Sequence, residues 1–302
     1  MDKLGNSDAD TKIKAGSFCR GILQGFRPFF CGAIILAGVV MVSSHADAGN
    51  ENSREIELND FKVCADPGNM PFSNRAEEGF ENKIAKLIAD DLGLSLHYVW
   101  MPQSMGFVRS TLNTRVCDVI IGMVSGDDLV QNSNPYYRST YALVFRSADT
   151  YTATTLNSPE FKGHSIGVVA GTPPVDALVN AGYAAQLHPY RLVVDTRFNA
   201  IGQDLVNDLK SGAIDIGVVW GPIAGYFVKK SEVPLTIVPL VDEPDKLRIE
   251  HRITMGVRHN EPKLKHLLNN EIKKLKPQID EILSAYGVPR IDDDEKLVPQ
   301  TP

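Results

Sequence analysis

The sequence predicts an α/β protein of two lobes, each a sheet built from βα units, joined by two crossover segments. Three observations predict it. Short apolar strand patterns alternate with amphipathic helical patterns, and that alternation implies βαβ units with parallel strands. The series runs once over residues 61–122 and again, in similar form, over residues 165–226. A polar run at 147–155 separates the two, and a mixed stretch at 239–253 follows the second, as two crossings require. The expected division is 56–148 with 247–291 for the first lobe and 149–246 for the second.

Each element has its own signal. The apolar run 61–65 stops at Asp66-Pro67-Gly68, so it reads as a buried strand with a loop at its carboxyl end. Phe80, Ile84, Leu87, Ile88 and Leu92 share one helical face, and Gly93 stops that helix. Residues 94–100 alternate as a strand until Pro102 breaks it. A short helix is expected at 107–112, a continuous apolar strand at 117–122 and another strand at 141–145. In the second series, 165–170 reads as a strand, and Gly171-Thr172-Pro173-Pro174 as a turn whose prolines open a helix at Val175. Residues 192–194 read as a strand, 201–209 as a helix and 214–219 as a buried strand. Trp220-Gly221-Pro222 then turns into a helix through Tyr226. A last helix is expected over 262–285, ending at Gly287 and Pro289; the acidic tail 292–302 is expected to lack fixed structure.

Residues 1–48 read as a cleaved secretory signal. Lys12, Lys14, Arg20 and Arg27 precede the apolar segment 28–42, and Ala46-Asp47-Ala48 supplies the small residues that a signal peptidase reads. The rival reading, a membrane anchor, is disfavoured because the apolar run falls short of the ~20 residues that span a bilayer. Cleavage takes the formal net charge from -6 to -7, by removing five basic and four acidic side chains. An acidic, exported chain is a poor partner for nucleic acid or anionic lipid. Of four cysteines, Cys64 and Cys117 remain, both in apolar strand patterns. Two readings stand for them: a pair of small buried side chains, or a bridge formed in an oxidising compartment.

Several segments together carry a family resemblance. They are the loop with Met70-Pro71-Phe72, the strand Cys117-Asp118-Val119-Ile120-Ile121-Gly122, Asn134-Pro135-Tyr136-Tyr137, the Gly171-Thr172 turn, and Leu209-Lys210-Ser211-Gly212-Ala213-Ile214-Asp215. In combination they resemble the type II periplasmic solute-binding proteins over nearly all of the mature chain. The resemblance narrows on Val63-Cys64-Ala65-Asp66-Pro67-Gly68-Asn69-Met70-Pro71-Phe72-Ser73, Gly106-Phe107-Val108-Arg109-Ser110-Thr111-Leu112 and Trp220-Gly221-Pro222-Ile223-Ala224-Gly225-Tyr226. These look like one branch, the quinoprotein-dehydrogenase-associated MoxJ/XoxJ accessory proteins of periplasmic methanol dehydrogenase. That resemblance implies an exported, non-catalytic protein without a cofactor of its own, whose partner is a pyrroloquinoline-quinone (PQQ) methanol dehydrogenase.

The chain departs from amino-acid-binding relatives in two places. They usually clamp a ligand carboxylate with an arginine after the third strand. Here that stretch is Met123-Val124-Ser125-Gly126-Asp127-Asp128-Leu129. They place an aspartate for the ligand amine after the late strand of the second lobe, where this chain has Trp220-Gly221-Pro222. An apolar cleft for a peptide, a protein segment or an uncharged ligand is the expectation. The strand ends that would line it supply Asp66, Asn69, Met70, Phe72, Trp100, Met123, Ser125, Gly171, Thr172, Trp220, Pro222 and Tyr226.

Each candidate has a plainer alternative. Trp220 serves as an aromatic wall or as ordinary packing between helix and sheet, and Met70 and Phe72 as an adaptable rim or as core. Asp127 and Asp128 with Asp66 offer hard-cation ligands, but such pairs more often cap helices or stay solvated. Arg109 on a short helix more often faces solvent. Gly171-Thr172 would present N–H groups to an anion, but Pro173 and Pro174 remove two donors. No Gly-x-Ser-x-Gly, P-loop or His-Glu-x-x-His is present. His97, His164, His188, His251, His259 and His266 lack ligand spacing, and Cys64 has no evident histidine partner. Three functions remain: a dehydrogenase accessory, an ABC-transporter receptor for a small non-amino-acid solute, and a dehydratase-type enzyme on the same scaffold.

Overall fold

The computed structural model describes residues 58–198, 200–243 and 247–299, so the expected signal segment lies outside the described residues. The chain enters β1 (Asp60–Ala65), makes two short paired strands, β2 (Gly68–Asn69) and β3 (Ser73–Asn74), and continues into α1 (Phe80–Leu92) and β4 (Ser95–Trp100). α1 forms because its apolar residues recur on one face: Phe80, Ile84 and Ile88 are buried with Ala85 and Ala89. Its start is capped by the Asn82 carboxamide, which accepts from the Gly79 N–H at 3.1 Å. Its end is set by Gly93, left-handed at φ 67°. β4 then lies parallel to β1, with Cys64 opposite Val99.

The next helix is shorter than its apolar pattern suggests. α2 covers only Phe107–Ser110, because Thr111 turns its hydroxyl back onto the Phe107 carbonyl at 2.7 Å and leaves helical geometry. The apolar run at 117–124 does two jobs. Its first residues bond to β1, through the Cys64 N–H to the Val119 carbonyl at 2.8 Å. Its remainder, β5 (Ile120–Val124), pairs with a later strand. Cys64 and Cys117 are thereby brought together and form a disulfide, with Cα atoms 5.5 Å apart.

After β6 (Gln131–Asn132), the ten-residue β7 (Tyr137–Arg146) organises the main sheet. The second series follows as β8 (Ile166–Val169), α3 (Pro173–Asn180), β9 (Leu187–Tyr190), α4 (Ile201–Ser211), β10 (Ile216–Trp220), α5 (Gly221–Lys229) and β11 (Leu235–Pro239). The chain returns through β12 (Glu250–Val257) to α6 (Pro262–Lys274) and α7 (Lys276–Ala285). Residues 137–140 of β7 pair with β12, and residues 141–146 pair with β10 and β11. The strand order β5-β12-β7-β10-β8-β9 is thus continuous. β7 itself carries the chain from one set of strands to the other, ahead of the polar run at 147–155 where the sequence pattern puts the crossing.

Other differences have equally local causes. The strand expected at 192–194 is instead β9, at the sheet edge where Pro189 needs no donor. Leu192 and Val193 are 53% and 57% exposed, so apolar character there does not mark a strand. The long final helix is two, divided at Leu275 just before Pro277. The irregular stretch at 239–253 contains the start of β12. The tail is ordered through residue 298: the Val298 N–H bonds to the Arg290 carbonyl, and Arg138 donates to the Asp292 carbonyl. Arg138, nearly buried on β7, needs the Asp292 carbonyl together with Glu250 and Glu295 as acceptors.

Three principal cores result. One gathers α1, β1, β5, β12, α6 and α7; the other two lie on the opposite faces of the β7–β8–β10 sheet. α5 packs backbone to backbone against the C-terminal segment. A Cβ at Gly225 would overlap the Gly287 carbonyl oxygen, so only glycine fits there.

Candidate binding groove

The loop after β1 is built around one carboxylate. Asp66 is fully buried. Its Oδ1 accepts from the Gly68 N–H at 2.8 Å and from the Thr196 hydroxyl at 2.6 Å, and its Oδ2 accepts from the Gln103 N–H at 2.5 Å. The Ser73 hydroxyl donates to the Asp66 backbone carbonyl at 2.9 Å. One side chain therefore ties together the loop after β1, the loop after β4 and the segment before α4. An aspartate whose lone pairs are filled this way holds the fold and has little left for a ligand.

A second carboxyl lies beside it. Glu81, partly buried in the first turn of α1, sits so close to β5 that a Cβ at Gly122 would overlap its carboxyl oxygen. Burial, reinforced by the Asp66 charge, pushes its pKa up from 4.5 to about 8. Burial first, and the Glu81 field second or later, also push the Tyr98, Tyr136 and Tyr137 phenols up. At neutral pH Glu81 is therefore largely a protonated acid. The folded state binds this proton more tightly than the unfolded chain. The stabilisation is complete below the unfolded pKa near 4.5 and is lost as pH rises through about 8. Within that window stability should fall with a slope approaching ~1.4 kcal/mol per pH unit relative to Glu81→Gln. Urea midpoints of both proteins from pH 5 to pH 8.5 measure it; parallel curves would refute the assignment.

The aromatic side chains form two groups. Trp220, at the end of β10, packs edge-on against Tyr141 with ring centroids 5.4 Å apart and tilted against His251, also at 5.4 Å. It touches both the first core and one face of the main sheet, so it sits where the two meet. Trp100 stacks on Tyr98 at 4.6 Å, with the Arg75 guanidinium 5.9 Å above its ring. Thr172 is buried and donates its hydroxyl to the Val169 carbonyl at 2.6 Å, while Gly171 beside it is left-handed at φ 77°. Met123 packs partly against the disulfide cluster. Ser125 is exposed on the rim of a cavity of about 960 Å³ that His251 also lines.

The remaining candidates pack elsewhere. Met70 lies against Val206, Tyr226 and Phe227, and Tyr226 stacks on Tyr286 with centroids 5.8 Å apart. Phe72 meets Phe80 edge-on at 5.3 Å. Pro222 is buried in the first turn of α5, and Asn69 donates its amide to the Gln103 carboxamide at 3.1 Å. Asp127 caps its own turn by accepting from the Leu129 N–H at 2.9 Å. No group of three metal-ligating side chains gathers among the described residues. Sequence patterns missed Glu81, Gln103, Thr196 and His251. Glu81 reads there as an ordinary first-turn acid, and residues 103 and 196 lie in loops without periodicity.

Comparison with known proteins places this geometry. The model of the bacterial extracellular solute-binding proteins, family 3, matches residues 61–288. The chain belongs to that family. Within it the relatives are those named from the loop and strand segments. Protein MoxJ of Methylorubrum extorquens is 30% identical over 243 residues, covering 76% of this chain and 81% of that one. The crystal structure of periplasmic binding protein XoxJ from Methylobacterium extorquens AM1 superposes with a TM-score of 0.66. It is 39% identical, over 77% of this chain and all of that one. The structure of MxaJ from Methlophaga aminisulfidivorans MPT also gives 0.66, at 28% identity over 76% of this chain and 100% of that one. This family 3 member is thus a MoxJ/XoxJ-type binding protein with the type II fold.

Proposed function

We propose that this chain is a non-catalytic periplasmic accessory of methanol oxidation that binds a PQQ-dependent methanol dehydrogenase through the groove between its two sets of strands. The MoxJ/XoxJ likeness supports the pathway, and the basic and apolar segment at 1–48 supports export. One observation carries the choice of a protein partner over a solute: the Asp66 carboxylate is occupied by three donors of its own chain. With Glu81 protonated beside it and no arginine in residues 123–129, the groove lacks the opposed charges that grip a zwitterion. The division into lobes 56–148 with 247–291, and 149–246, belongs to the same proposal.

Trp220 is the side chain to test, because truncating a buried aromatic anchor at an interface commonly costs about 2 kcal/mol or more in binding. Trp220→Ala should weaken co-elution with the dehydrogenase purified from the same cells, by roughly thirtyfold in Kd. Circular dichroism verifies that the variant folds. Equal binding by folded Trp220→Ala would remove the groove from the account. One stoichiometric small metabolite released on denaturation would favour the transporter-receptor reading.

A further inference from the structure

We infer that residues 191–198 form a strap across the strand-end groove, an autoinhibitory contact that the partner must lift in order to bind. The inference rests on the proposed function and adds to it how access to the groove is controlled. Open α/β sheets bind at the carboxyl ends of their strands, and this segment of the chain already lies there. It starts beside the end of β8, where a Cβ at Gly171 would stand 3.8 Å from the Leu192 side chain. It reaches the end of β1, where a Cβ at Gly68 would overlap the Thr196 carbonyl oxygen. Glycine at 68 is what lets the two backbones come this close.

The strap is held at a point rather than along its length. Residues 191–198 adopt neither helix nor strand. Leu192, Val193 and Phe198 are exposed, so burial of those side chains does not hold it down. A turn closed by the Phe198 N–H onto the Asp195 carbonyl at 3.0 Å presents Thr196. Arg197 folds back within the same turn, its Nε donating to Asp195 Oδ1 at 2.8 Å. The Thr196 hydroxyl is the fastening: it donates at 2.6 Å to the buried Asp66 carboxylate, a charge-assisted bond of the stronger kind. Lifting the strap breaks that bond and leaves Asp66 Oδ1 one donor short. An incoming polypeptide segment can put a hydroxyl or N–H in the same place. The stretch from Leu192 to Thr196 spans both strand ends, a reach that a polypeptide segment matches and one amino acid does not.

Two readouts of Thr196→Val test this, with Thr196→Ser as the variant that keeps the hydroxyl. Thr196 is only half-buried and valine keeps its shape, so the fold should be retained. In the chain alone, trypsin cleavage after Arg197, followed by mass spectrometry, should run about tenfold faster in the valine variant. One hydrogen bond to a charged group sets the open fraction on that scale. In co-elution titrations with the dehydrogenase purified from the same cells, the valine variant should bind about tenfold tighter, because its groove is open more of the time. Thr196→Ser should match the parent in both. Unchanged cleavage in the valine variant, or affinity equal to or weaker than the parent's, overturns the strap; weaker binding would make the segment a contact surface instead. Absence of binding by all three proteins overturns the proposed function and the competition that rests on it, and the cleavage rates tell that failure from failure of the strap.

Discussion

Asp66→Ala is expected to lower the unfolding free energy by about 4 kcal/mol, from the penalty for stranding several buried donors. The Gly68 and Gln103 N–H groups and the Thr196 hydroxyl all point at one carboxylate that is fully buried. Alanine leaves those donors facing methyl and whatever water can enter. Asp66→Asn should cost less, since its carboxamide oxygen still accepts, while its NH₂ opposes at least one of the original donors. For a chain of this size the alanine variant should melt about 8–16 °C lower. Equilibrium urea unfolding gives the energy and a thermal scan gives the shift. A loss below about 1 kcal/mol would mean that solvent replaces the carboxylate and that the three loops are not tied through it.

The second large effect concerns the disulfide. Cys64 and Cys117 are 53 residues apart, and the loop-entropy model assigns such a closure about 4 kcal/mol. The bridge lies among Phe107, Val108, Leu112 and Ile120, and both cysteines are essentially buried. Reductant should therefore act slowly on the folded protein and quickly on the unfolded one. Cys64→Ala/Cys117→Ala avoids leaving a buried hydroxyl and isolates the cross-link together with a small void. Its urea midpoint should fall well below that of the oxidised parent. Equal midpoints would show that the bridge does no more than the two buried side chains it joins.

Much of the fold was legible because its signals are local. The α1 stripe, its Gly93 stop and the alternation of strands with helices each follow from short-range periodicity. The errors share a different cause. Thr111, Pro189 and Pro277 alter elements by what they do to hydrogen bonding, and β7 spans both sets of strands because of pairings with the distant β10 and β12, neither of them local in sequence. The tail is ordered by Arg138, a residue from the far side of the chain.

The groove was legible only in part. Asp66 stands out as the end of a strand, but nothing nearby reveals that Thr196, 130 residues on, donates to it. Met70, with rim and core as its two readings, and Tyr226, expected along the cleft, pack in one cluster with Val206 and Phe227. Trp220 lies at the predicted strand end, and its contact with His251 required the return of β12. The charge state of Glu81 depends on burial that an amphipathic pattern cannot reveal, since a first-turn acid is usually solvated.

The central claim is that the acids of the strand-end groove are committed to the fold or protonated, so no free amino acid is held there. Calorimetric titration of the mature chain with glutamate, glutamine and arginine tests it most directly. The account predicts no saturable heat from the groove. A one-to-one complex with any of the three would contradict it.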